Sequence, residues 1–207
     1  MLLLVSSLVI VFPVEALKLR GNTLYVGGSG PGNYTRIQDA IDNANVGDAV
    51  FVYSGLYFEN VVVDKSIYLF GEYKNTTIIN GNGSGVVINI LVDCVKISGF
   101  TITNGGPLAQ NFDAGIKIDS SYNTISYCNI SSNKYYGLYL YKEPSATNNT
   151  IRSNTFFNNS YGIFGYYAKT NKICLVLFIF FIDAVNEISV LLYSSRLIII
   201  FAIIHKI

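Results

Sequence analysis

Three aspartates and two lysines are the residues with the most obvious chemical potential. Asp113 and Asp119 flank the segment Ala114-Gly-Ile-Lys-Ile118, and Asp93 precedes them. Clustered carboxylates are what polysaccharide cleavage demands, as a general acid and base or as calcium ligands beside a base. Lys96 and Lys117 are the nearest basic side chains. Asp93 and Asp119 fall after different strand-like segments, and no repeated position carries an acidic residue twice running. Solvated loop charges have the same composition. The residues alone therefore predict no catalytic site and no enzyme. A polysaccharide lyase or hydrolase centred on Asp93, Asp113 and Asp119 is the alternative.

Other chemistries have less material. Copper needs soft or imidazole ligands, and the chain offers one histidine, His205, one methionine, the initiator, and the scattered Cys94, Cys128 and Cys174. No metal site, cofactor or disulfide framework is expected from these, and the cysteines read as buried thiols. Aromatics are plentiful, with 16 tyrosines and 13 phenylalanines. Tyr136, Tyr139, Tyr141 and Phe164 are the candidate carbohydrate-binding residues, because flat rings carrying hydroxyls suit sugar faces. The same rings could instead pair with one another across strands. Six Asn-x-Ser/Thr sequons, at Asn33, Asn75, Asn82, Asn129, Asn148 and Asn158, are possible glycan sites in an exported chain.

These residues sit on a repeat. Ile97-Ser-Gly-Phe-Thr-Ile102, Ile125-Ser-Tyr-Cys-Asn-Ile130 and Ile151-Arg-Ser-Asn-Thr-Phe156 start 28 and then 26 residues apart. Ile88-Asn-Ile90, Ile116-Lys-Ile118, Leu138-Tyr-Leu140 and Ile163-Phe-Gly165 keep step with them. Such a unit cannot bury its apolar face alone, so it must stack on copies of itself. Short strands at this period predict an all-β, right-handed parallel β-helix of about five coils, about 4.8 Å apart. Alternation then makes Asn89, Lys117, Tyr139 and Phe164 an outward column. Glycines before the strands (Gly85, Gly115, Gly137, Gly162) supply backbone freedom at corners, and Asn123 and Asn149 are placed to form a ladder. One helix is predicted, at 35–44, with Thr35 as N-cap and Gln38 completing a capping box. It would close the N-terminal end.

The ends differ from the middle. Leu2–Phe12 is an apolar run followed by Val14-Glu-Ala16, the pattern of a signal peptide over 1–16, although no Lys or Arg precedes it. No glycine follows Gly165, the repeat vocabulary stops after Lys172, and 173–207 is an apolar tail outside the repeat pattern: a membrane anchor, an end cap, or a segment out of frame. The abruptness of the break favours the last. Between the ends lies the predicted β-helix domain, 17–172. A formal net charge of +1 excludes a polyanion-binding surface, so nucleic acid is not an expected partner.

The segments Tyr34-Thr-Arg-Ile-Gln-Asp-Ala-Ile-Asp-Asn-Ala44 and Gly47-Asp-Ala-Val-Phe-Val-Tyr-Ser-Gly-Leu-Tyr57, with the Asn123-Thr-Ile-Ser and Tyr136-Gly-Leu-Tyr turns, resemble NosD-like right-handed parallel β-helix proteins. The resemblance covers about 22–172. It implies the kind of exported surface protein common in methanogenic archaea, within a wider group of carbohydrate-binding and sugar-hydrolase β-helices. It also implies, as a further alternative, a periplasmic copper-accessory role. The expectation taken forward is an exported, non-catalytic cell-surface or envelope module. Its partners would be cell-envelope polysaccharide or surface proteins, with membrane contact only through a genuine tail.

Overall fold

The computed structural model describes residues 21–108, 111–141, 146–166, 170–181 and 197–204. The signal-peptide segment 1–16 and His205 lie outside them.

The chain winds as a parallel β-helix with three strands per coil. On the first face, β1 (Thr23–Val26), β2 (Ala49–Val52), β5 (Tyr68–Gly71), β8 (Lys96–Ser98), β11 (Thr124–Ser126) and β14 (Thr150–Arg152) pair in that order. The second face stacks β3 (Gly55–Phe58), β6 (Thr77–Asn80), β9 (Thr101–Thr103), β12 (Asn129–Ser131) and β15 (Thr155–Phe157). The third stacks β4 (Val61–Val63), β7 (Ile88–Ile90), β10 (Ala114–Ile118), β13 (Tyr136–Tyr141) and β16 (Tyr161–Tyr166). Five coils thus carry all three faces, as the repeat predicts.

Registers follow the sequence columns. Leu69, Ile97, Ile125, Ile151 and Ile173 align inward, as do Ile88, Ile116, Leu138 and Ile163, each essentially fully buried. Burying one such side chain contributes about 1.5–3 kcal/mol, and together they form one continuous core.

The corners reveal what the repeat encodes. Cys94, Tyr122, Asn148 and Thr170 occupy equivalent positions with φ of 54–63° or close to it (63°, 59°, 56° and 61°). A second corner uses Gly99, Tyr127 and Ser153, and a third Asn104, Ser132 and Asn158, all left-handed. The residue after the turn is repeatedly a buried asparagine: Asn123, Asn133, Asn149, Asn154 and Asn171. Each asparagine Oδ1 accepts the backbone N–H of the coil before it. Val95 N donates to Asn123 at 2.8 Å, Asn123 N to Asn149 at 2.8 Å, and Asn149 N to Asn171 at 2.8 Å. Cys128 N donates to Asn154 at 2.9 Å and Gly105 N to Asn133 at 2.9 Å. A corner N–H has no sheet partner, and the amide satisfies it. The predicted ladder is present, and two more run beside it.

Two local expectations are corrected. The helix α1 runs Ile37–Asn43 without a side-chain cap from Thr35 or a capping box. Instead the buried Glu59 carboxylate accepts Ile37 N–H at 2.8 Å and Gln38 N–H at 3.0 Å from the end of β3. A carboxylate there satisfies two orphan donors and complements the helix dipole. Freed from capping, Gln38 bonds the backbone of Val62 in the edge strand β4 through both amide atoms, so α1 does cover that edge. The corner glycines also have a different reason. Gly85 is left-handed at φ 57°, but Gly115 and Gly137 are not, and it is space that requires them. A Cβ on Gly137 would lie 2.6 Å from Gly162 O.

The tail is described only at 173–181 and 197–204. Its vocabulary leaves the repeat at Ile173, yet β17 (Lys172–Phe181) pairs with β14 and then β15 as one ten-residue strand, and β18 (Leu197–Ile204) pairs with β17. Without a corner glycine or asparagine the strand cannot turn between faces, so it spans both.

The cysteines also divide. Cys128 is buried as expected, Cys174 is partly covered, and Cys94 is exposed because it occupies a left-handed corner. Burial pushes the Cys128 thiol up to about 11 from an ordinary 9.0. The folded chain thus keeps this proton between those values while the unfolded chain loses it. Stability from this group is intact below about pH 9 and declines by about 1.4 kcal/mol per pH unit as pH rises towards the folded value. Cys128→Ala should reduce the slope of unfolding midpoint against alkaline pH. An unchanged slope would contradict the assignment. Tyr57 and Tyr136, also raised by burial first, change stability in the same direction as pH rises.

Candidate functional site

The outer surface of the third face carries the polar groups that the core does not use. Val62, Asn89, Lys117, Tyr139 and Phe164 align in neighbouring strands as one outward column. Two residues along β10 from Lys117, Asp119 faces the same way, as the strand's period of two requires. Lys117 Nζ meets Asp119 Oδ2 at 2.9 Å, with the two side chains 17% and 23% exposed. A pair this sheltered is held more firmly than a surface ion pair. Asp119 Oδ1 and Asn89 Oδ1 are both buried and accept no hydrogen bond within the protein. Buried acceptors are rarely left so.

The three aspartates do not converge. Five residues of β10 separate Asp113 from Asp119, placing them at opposite ends of a strand, about 20 Å apart at 3.3 Å per residue. Buried Asp113 instead holds the loop before β10, accepting Leu108 N–H at 3.0 Å through Oδ2. Asp93 does join the Asp119 end, since its Oδ1 accepts the N–H of Ser121 at 2.7 Å. Lys96 belongs to the first face, with its ammonium 4.9 Å from the Tyr68 ring centroid. Asn89 was legible as an outward residue but not as a site residue. Its signal is an amide at the centre of an Ile-x-Ile strand.

The aromatic candidates pack closely on one another. Tyr139 is 2% exposed and Tyr136 8% exposed. Phe112, from the loop ahead of β10, stacks on Tyr139 at 5.0 Å, and Phe164 stacks on it at 5.6 Å. Tyr136 packs against Tyr135, Tyr139, Tyr161 and Phe164. These rings form a second small core outside the coil, with Tyr136 and Tyr139 buried and Phe112, Tyr135, Tyr161 and Phe164 partly buried around them. The Tyr141 side chain lies outside the described residues. The cluster instead walls the Lys117 end of the polar column.

Of the sequon asparagines, Asn75, Asn82, Asn148 and Asn158 are exposed, while Asn33 and Asn129 are half-buried. Asn33 Nδ2 donates to Gly27 O at 2.6 Å and Asn129 Nδ2 to Asn75 Oδ1 at 3.1 Å. Among the described residues, no three His, Cys, Asp or Glu side chains gather as a metal site, and no helix is long and apolar enough to cross a membrane.

Among solved structures, a pectin methylesterase from carrot overlays with a TM-score of 0.55 at 17% identity, over 78% of this chain and 52% of that protein. The chain thus spans about half the carrot enzyme's length. The Escherichia coli protein YbhC overlays with a TM-score of 0.46 at 14% identity, over 83% of this chain and 72% of its own. No curated protein matches. The carrot likeness corrects the expectation that the chain is not an enzyme. The β-helix that holds Asn89, Lys117 and Asp119 is a fold on which that protein does chemistry, so the lack of stacked acidic residues does not argue against catalysis. The right-handed beta helix region family matches residues 41–176, well over half of the sequence, and the chain belongs to that family.

Proposed function

We propose that the protein is an exported, carbohydrate-active β-helix protein that works on polysaccharide, as a hydrolase or lyase, at the outer surface of β7 and β10. The observation that carries this reading is the Lys117–Asp119 pair, with Asp119 Oδ1 left buried and unpartnered. Lys117 holds Asp119 Oδ2 at 2.9 Å, and because the two side chains are 17% and 23% exposed while Oδ1 is buried, it is the Oδ2 side of this pair that substrate can approach. A carboxylate so placed suits proton transfer to or from a sugar oxygen or carbon. Asp93, at the same end of the neighbouring coil, is the second carboxylate that a glycosidic bond requires. The fold shared with the carrot pectin methylesterase supports carbohydrate as the substrate class. The apolar run and small-residue site at 2–16 support export to where such polymers lie.

Purified protein incubated with a panel of polysaccharides should release new reducing ends or unsaturated ends. Asp119→Asn should lower that rate about 10²–10⁴-fold, the usual contribution of a positioned acid or base, in protein that circular dichroism shows to be folded at the assay temperature. Equal rates in both proteins, or no product from any polymer, would overturn the reading.

A further inference from the structure

We infer that the polysaccharide lies along the stack of coils, one sugar to each coil, with Asp64 binding it two coils from the bond at Asp119; this rests on the carbohydrate reading above. The ladder of the third face continues one residue past its strands. Leu91 N–H donates to Val63 O at 3.0 Å and Asp119 N–H to Ile90 O at 3.0 Å. Val63, Ile90 and Ile118 are in register. The residues that follow them, Asp64, Leu91 and Asp119, therefore stack as a second outward column beside Val62, Asn89 and Lys117. Coils lie about 4.8 Å apart, so the backbone at Asp64 stands about 10 Å from that at Asp119, with Leu91 between. A linked pyranose ring advances by nearly one such step. Leu91 is 45% exposed and Val62 38%, and their aliphatic surface suits the C–H faces of the rings. Asp64 is exposed and forms no ion pair among the described residues. Its carboxylate accepts charge-assisted hydrogen bonds from sugar hydroxyls. It lies a coil farther from Asp119 than Asp93 does, so it meets the polymer away from the cleaved bond. In the opposite direction Tyr139 follows Lys117 and is 2% exposed. The open run thus leads from Asp119 towards α1, whose Gln38 bonds the backbone of Val62.

The test is steady-state kinetics of the full chain on hexasaccharides of cellulose, xylan, mannan and polygalacturonate. Asp64→Asn should raise KM for the cleaved hexasaccharide about tenfold and leave kcat unchanged, as loss of one hydrogen bond to bound substrate does. Leu91→Ala should raise KM in the same way. Both side chains are exposed, so their variants test the surface without disturbing the core. Asn111→Ala, exposed ahead of the far end of β10, should change neither constant. A KM raised by Asn111→Ala and not by Asp64→Asn would mean a polymer lying along the strand. That result would overturn the inference while leaving the carbohydrate reading standing. A KM that neither Asp64→Asn nor Leu91→Ala moves would overturn it equally. No cleavage of any of the four would overturn both.

Discussion

Asn149→Ala is expected to cost about 3–5 kcal/mol, because it strips a buried ladder of several partners at once. The Asn149 Oδ1 accepts Asn123 N–H at 2.8 Å and Asn123 Nδ2 at 3.0 Å, and its own Nδ2 donates to Ser120 O at 3.0 Å. Alanine leaves two donors and a carbonyl without partners where no solvent reaches. Asn123, Asn149 and Asn171 are all within 1% of complete burial. Asn149→Asp should be no better, since its carboxylate loses the donor to Ser120 O and adds a buried charge. Denaturant unfolding measures this directly. A loss under about 1 kcal/mol would place the corner N–H groups in ordinary solvent exchange, not in a ladder.

Gly137→Ala is the second large effect, about 2–3 kcal/mol, at the upper end of what overpacking costs. The new Cβ would stand 2.6 Å from Gly162 O, 2.9 Å from Asn159 Nδ2 and 3.0 Å from a Phe156 ring carbon. The closest of these is backbone in the next coil, which cannot yield without lengthening the rungs between β13 and β16. The conformation is not the obstacle, as Gly137 is absent from the left-handed residues. An alanine tolerated without loss would show that the coils separate easily at this corner. Gly137→Val, which adds two methyls, should exceed the alanine effect.

Much of this structure was written in local alternation. The inward isoleucines at 88, 116, 97, 125 and 151 were readable because a strand's period of two sends every second residue to the core. The shared outward face of Lys117 and Asp119 follows from the same period, and so does the separation of Asp113 across β10. What was not readable is what depends on chain brought back from elsewhere. Glu59 caps a helix that begins 22 residues earlier, and no capping motif encodes that. The burial of Tyr139 depends on where the loop carrying Phe112 folds, which strand periodicity does not specify. Tyr122 and Tyr127 hold left-handed corners at φ 59° and 54°, against the preference of bulky side chains. Only stacking in register with their neighbours fixes those corners.

The central claim is that carbohydrate chemistry takes place on the outer surface of β7 and β10. The most direct measurement is a crystal structure of the Asp119→Asn protein soaked with an oligosaccharide of the best-binding polymer. The account predicts a sugar ring on the outer surface of β7 and β10, over the exposed Val62 and Leu91 and against residue 119. A ring seated instead on the aromatic row of Tyr25, Phe51 and Phe70 on the first face, or no ordered sugar on the third face, would contradict it.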